Sequence, residues 1–273
     1  MKGAVLAWLL AIAALLGLLA VVLWQRRQIR QLERLVDATH GKLEQLQLHF
    51  ARFAPDDVVE QLTEKRGEVK ASRRVVTVLF ADLKGFTALC ERLDSEEMVP
   101  ILNGYFRCMS QAITEHHGRV TELTGDGILA LFGALEPNPW QAQDAVLGAL
   151  AMRAALKGYN ETLRARALPA LELGIGIHRG EVVAGVMGTE ELSKFGVVGD
   201  PINVAARVER LTRDLSVDLL ITEDVRRELD GRFHFRVMPA VQVKGKVEPI
   251  VTYLVEGVET DRPQSTIAPA TSS

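Results

Sequence analysis

At 273 residues the chain has room for one sizeable domain with appendages. Its 48% hydrophobic and 25% charged residues are ordinary for a globular protein. A formal charge of −3 argues against a broad polyanion-binding surface, and so against nucleic acid as a partner. Cys90 and Cys108 share no metal-ligand spacing and read as two reduced thiols of a cytosolic domain.

In chain order, the first feature is an uncharged apolar run over residues 3–24. At 1.5 Å per residue it reaches roughly 33 Å, against a bilayer core of about 30 Å. A cleaved signal peptide competes with this reading, but its apolar region is usually shorter and ends at small residues, whereas this run ends Trp24-Gln25-Arg26-Arg27. Arg26, Arg27 and Arg30 then place the remainder in the cytoplasm, giving a single-pass inner-membrane protein with a cytoplasmic domain. Ile29, Leu32, Val36, Thr39, Leu43, Leu46, Phe50 and Phe53 follow at alternating three- and four-residue steps, the seam of a coiled coil that Thr39 and Gly41 weaken. An amphipathic helix lying on its own domain is the alternative; a seam directly after an anchor favours self-association. The expected division is an anchor at 1–24, a coiled coil at 25–54, a linker at 55–72, a domain at 73–257 and a disordered, Thr-, Ser- and Pro-rich tail at 258–273.

The domain begins with an apolar, β-branched strand over residues 75–80. Ser95 is placed to cap a helix whose apolar face includes Met98, Ile101, Leu102, Tyr105, Met109 and Ile113, ending near His117-Gly118. Strands at 119–123 and 128–132 flank the turn Thr124-Gly125-Asp126-Gly127. Asn138-Pro139 opens a helix through to about Arg166, and strands follow at 171–177 and 181–186. A helix at 202–212 and strands at 217–221, 233–237, 241–244 and 250–255 complete an α+β or α/β domain.

Two carboxylates stand out. Asp82 closes an apolar strand, and Asp126 tips an apolar hairpin, each beside glycine where a ligand can approach the backbone. Hard oxygen donors with few other protein ligands suit Mg²⁺ or Mn²⁺ shared with substrate phosphates, although Gly-Asp-Gly is also ordinary turn chemistry. After Asp82, Leu83-Lys84-Gly85-Phe86-Thr87 carries the strand through a glycine turn into a short helix, whose first N–H groups suit a triphosphate. His116, His117 and His178 have no surrounding ligand set and read as a helix end and a strand residue.

The segment Phe80-Ala81-Asp82-Leu83-Lys84-Gly85-Phe86-Thr87 resembles the opening metal-binding strand of class III adenylyl and guanylyl cyclases. In the same order, Thr124–Gly127 resembles their second metal hairpin and Gly176–Glu181 the strand after the long helix. Val198–Arg207 resembles the segment with the transition-state Asn and Arg, and Val243-Lys244-Gly245-Lys246 the triphosphate-binding lysine loop. The resemblance implies a ferredoxin-like α/β domain working as a head-to-tail homodimer. One protomer would supply Asp82, Asp126 and the main chain of Leu83 for two divalent cations, with Phe86 and Thr87 beside the substrate. The other would supply Asn203 and Arg207 at the ribose and α-phosphate, and Lys244 on the outer phosphates.

The positions that read the purine in this family correspond to Glu122 and Gly196. A carboxylate facing adenine N1 opposes two acceptors, at roughly 1–3 kcal/mol, whereas guanine offers it two donors. The expected reaction is therefore GTP to cyclic GMP, with ATP to cyclic AMP as the alternative; a Glu122 that points to solvent on its hairpin strand selects neither base. Gly174 stands where some members carry a phosphate-contacting arginine, an absence that would weaken substrate binding or shift that role to Lys84 or Lys246. These departures keep open a non-catalytic nucleotide-sensing or dimerisation module of the same fold.

Overall fold

A computed structural model of the chain describes residues 71–188, 193–241 and 249–259, all within the unit Lys70–Ser273. The expected anchor and coiled coil, residues 55–70 of the linker, Lys244 with Lys246, and the tail from 260 onward lie outside the described residues. The strands are β1 (Ser72–Leu83), β2 (Arg119–Thr124), β3 (Gly127–Phe132), β4 (Leu173–Gly188), β5 (Ser193–Val198), β6 (Leu219–Thr222), β7 (Phe233–Val237) and β8 (Thr252–Val258). The helices are α1 (Phe86–Cys90), α2 (Ser95–Glu115), α3 (Gln141–Ala165), α4 (Asp200–Asp214) and α5 (Glu223–Arg226). The sheet has eight strands in the order β2-β3-β1-β4-β6-β8-β7, and β5 pairs with the far end of β4. Among the described residues only β4 and β6 pair in parallel, as the crossover through α4 requires.

The pleat of β1 sorts its residues between two layers. Leu79, Ala81 and Leu83 face the main core, built with Tyr105, Met109 and Ile113 of α2 and Ala145, Ala149 and Met152 of α3. Val76 and Val78 face the other way and pack with Val182 and Ala205 of α4. Asp82 follows this second set, so its side chain leaves the sheet on the α4 side.

A track of glycines on β4 admits α4. Gly174, Gly176 and Gly180 stand opposite Asp82, Phe80 and Val76. A Cβ at Gly180 would lie 2.6 Å from Pro201, and one at Gly176 would lie 2.7 Å from the carbonyl of Ala205 and collide with the amide of Glu209. A Cβ at Gly174 would lie 3.0 Å from Glu209 Oε1 and collide with Thr212 Oγ1. The helix therefore runs from Pro201 above Gly180 to Thr212 above Gly174.

Several expectations are corrected by these elements. The strands expected at 171–177 and 181–186 are one strand of 16 residues, because Gly180 serves the approach of Pro201 and no turn forms there. Strand β5 and helix α5 were not expected. Ser95 is the first residue of α2, and Asp94 holds the cap position without a side-chain cap bond. The strand expected at 241–244 is represented among described residues by an isolated bridge, Val241 to Ile250.

Candidate active site

The two carboxylates converge at the end of β1. The β2–β3 turn swings Asp126 back over this end, aided by Gly125 at φ 63°, a left-handed conformation that glycine adopts without strain. Asp126 Oδ2 accepts a hydrogen bond from the Leu83 amide at 3.1 Å. Gly127 leaves room for Asp82, whose Oδ1 would lie 3.6 Å from a Cβ built there. The two carboxyls are hydrogen-bonding neighbours, and burial followed by the Asp82 contact pushes the Asp126 carboxyl up to about 6. A divalent cation relieves that repulsion, so the donor set fits the metal chemistry expected of it. Among the described residues no cluster of three or more His, Cys, Asp or Glu forms a metal cage. Ions held by Asp82, Asp126 and the Leu83 carbonyl would thus take further ligands from substrate and water.

Around this pair lies a polar layer that the sequence did not reveal. Arg213, in the last turn of α4, forms an ion pair with Asp82. Its Nη2 also lies 3.7 Å from Glu209 Oε1, one helical turn back. Glu209 is 5% exposed, and its Oε1, Thr212 Oγ1 and the Tyr105 hydroxyl are buried without hydrogen-bond partners. Burial pushes the Glu209 carboxyl up to about 7, with Arg213 opposing the shift and Asp82 reinforcing it. Burial, then Asp82, Asp126 and Glu209, drive the Tyr105 phenol far above its usual range. One signal was present: Glu209 falls on the apolar stripe of Pro201, Ala205, Val208 and Thr212, where a charged side chain is out of place.

The remaining expected residues take separate positions. Gly85, at φ 69°, turns the chain into α1, where Phe86 packs on the core and Thr87 is exposed. Glu122 is exposed on β2 beside a register shift between Val120 and Glu122. Gly196 pairs with Gly185, and a Cβ there would meet the Met187 methyl at 3.5 Å. Asn203 is exposed and Arg207 half-buried on α4. Within one chain Asn203 is set apart from the carboxylates along α4. Asn203 is ten residues before Arg213, about 15 Å along the helix, and Val76 and Asp82 are separated by roughly 20 Å of strand.

One expected substitute for the absent arginine is engaged elsewhere, and the arginine's own position is closed. Lys84 donates to the Val217 carbonyl at 2.6 Å. Gly174 has no space for a side chain, because Thr212 and Glu209 close over it. His178 bonds through Nδ1 to Thr222 Oγ1 at 2.9 Å, a strand residue as expected. Cys90 and Cys108 are both free thiols.

An apposed carboxylate pair at a strand end, with an Asn/Arg pair on a crossover helix, is an arrangement suited to metal-assisted phosphoryl transfer. Residues 69–257 match the family described as Adenylate and Guanylate cyclase catalytic domain, and the chain belongs to that class III cyclase family. An adenylate cyclase of Anabaena cylindrica is 34% identical over 239 residues, covering 84% of this chain. The chain spans 47% of that relative's length. The crystal structure of the guanylyl cyclase Cya2 superposes with a TM-score of 0.65 at 38% identity, covering 71% of this chain and 97% of Cya2. The adenylyl cyclase CyaB from P. aeruginosa gives 0.65 at 27% identity, covering 71% and 98%.

Proposed function

We propose that the chain is a homodimeric guanylyl cyclase, converting GTP to 3′,5′-cyclic GMP and pyrophosphate. The observation that carries the dimeric site is the separation within one chain: Asp82 and Asp126 stand at one end of the β4 track and Asn203 toward the other. A head-to-tail partner would bring its Asn203 and Arg207 to the triphosphate held at Asp82 and Asp126. Two divalent cations, Mg²⁺ or Mn²⁺, would neutralise phosphate charge and lower the pKa of the ribose 3′-hydroxyl when bound. The 3′-oxygen then bonds to the α-phosphorus, the bond to pyrophosphate breaks, and the hydroxyl proton leaves to solvent. Arg207 faces the charge that grows on the α-phosphoryl oxygens, and Asn203 orients the ribose. Lys244 would hold the outer phosphates as a point charge.

The base assignment rests on Glu122, whose carboxylate accepts from guanine N1–H and N2 and opposes adenine N1. The 38% identity to a solved guanylyl cyclase supports it, and the 34% identity to an adenylate cyclase argues for ATP. The apolar run at 3–24 and the seam behind it support anchoring in the inner membrane with the catalytic unit in the cytoplasm. Incubating the full chain with Mn²⁺ and either nucleotide tests the proposal: cyclic GMP should exceed cyclic AMP. Cyclic AMP alone overturns the base assignment, and no product from either nucleotide returns the sensing module.

A further inference from the structure

The ion pair between Arg213 and Asp82 is not explained by the chemistry proposed above, which needs both carboxylates for metal ions. Two adjacent carboxylates are eased by a shared proton or by a nearby positive charge, and α4 brings a guanidinium to them from its last turn. The guanidinium is 43% exposed and the Asp82 side chain 29%, so the contact is open to solvent and exchangeable. A second acceptor is already within reach. Glu209 lies one turn back, 6% exposed at its side chain, with Oε1 lacking a hydrogen-bond partner and held only by a loose 3.7 Å ion pair to the same guanidinium nitrogen. One guanidinium thus stands between two carboxylates, of which one is proposed to bind metal and the other is buried and short of a donor. A planar fork with five donors can move from one to the other by a side-chain rotation.

We propose that Arg213 is a resident counter-ion of the metal site: it holds Asp82 in the metal-free domain and transfers to Glu209 when a divalent ion takes Asp82. The proposal rests on reading Asp82 and Asp126 as metal ligands. It makes Arg213 and Glu209 positioning residues, which set the affinity of the site before substrate arrives. Metal entry then exchanges one ion pair for another and leaves no carboxylate bare. The handover also supplies Glu209 Oε1 with the donor it otherwise lacks.

Mn²⁺ binding by the full chain, followed through the EPR signal of free Mn²⁺ without nucleotide, tests this. Arg213→Ala removes the competitor and should bind Mn²⁺ about fivefold more tightly, as expected for a partly exposed ion pair. Arg213→Lys should fall between that variant and the wild type. Arg210→Ala removes an equal charge from the same helix and should leave the affinity within twofold of wild type. Glu209→Gln should weaken Mn²⁺ binding, and most of that loss should vanish in the Arg213→Ala background. Equal tightening by Arg210→Ala and Arg213→Ala overturns the exchange, because a general field would then account for both. Unchanged or weaker binding by Arg213→Ala overturns it too while the metal site itself stands. A wild type that binds no Mn²⁺, with or without GTP, sinks the metal-site reading and the exchange together.

Discussion

Glu209 makes the metal-free domain less stable as pH rises, and Glu209→Gln should remove most of that dependence. Its carboxyl is pushed from 4.5 up to about 7, chiefly by burial. An acid that holds its proton more tightly when folded stabilises the fold in acid. That stabilisation is complete below pH 4.5 and is lost as pH climbs through about 7. At about 1.4 kcal/mol per tenfold change in proton affinity, the loss between pH 5 and pH 8 is on the order of 2 kcal/mol. Asp126, pushed from 3.8 up to about 6, acts in the same direction at the lower end of the window. Glu223, held down to about 2 by the Arg226 guanidinium, changes its contribution only at more acid pH. In EDTA, thermal unfolding of the wild-type domain should therefore fall by roughly 4–8 °C from pH 5 to pH 8. Glu209→Gln should flatten most of this and exceed the wild type at pH 8. A wild-type midpoint that is flat or rises across this range, with Glu209→Gln following it, refutes the reasoning.

Gly176→Ala should lose about 1–3 kcal/mol in urea unfolding, since its Cβ would press on the backbone of Ala205 and Glu209, which cannot yield locally. Gly158→Ala, in α3 with open space around it, should instead gain about 0.5–1 kcal/mol. Asp82→Ala and Asp126→Ala should each lower cyclase turnover by roughly 100-fold or more, with far-UV circular dichroism unchanged. Glu122→Lys should move the GTP-to-ATP ratio of kcat/KM toward ATP by about tenfold, read from competing nucleotides in one reaction.

How far the sequence disclosed this arrangement depended on whether a residue's task was local. Asp82 and Asp126 could be found because Asp82 ends an apolar strand three residues before Gly85, and Asp126 sits between Gly125 and Gly127 at the tip of a hairpin written in adjacent residues. The strand was divided at 178–180 because Gly180 interrupts its apolar run, whereas the reason for that glycine is Pro201, twenty-one residues later in the chain. Strand β5 escaped notice because Gly196 interrupts a short run, and its stability comes from pairing with the extended end of β4. Gly174 looked like a lost cation; only the packed helix reveals that Thr212 and Glu209 fill its place. Arg213 was invisible for a similar reason, since its partner on β1 is 131 positions away. The helix expected at 202–212 carries Asn203 and Arg207, and the helix observed at Asp200–Asp214 carries both.

The claim beneath the whole account is that carboxylates of one protomer and the Asn203/Arg207 pair of its twin build one catalytic centre. Mixing Asp82→Ala with Arg207→Ala protomers tests it most directly. Each variant alone should be inactive, and the co-assembled pair should recover cyclase activity, because one of the two sites in each heterodimer is intact. An inactive mixture in which heterodimers are demonstrably present would contradict the shared site.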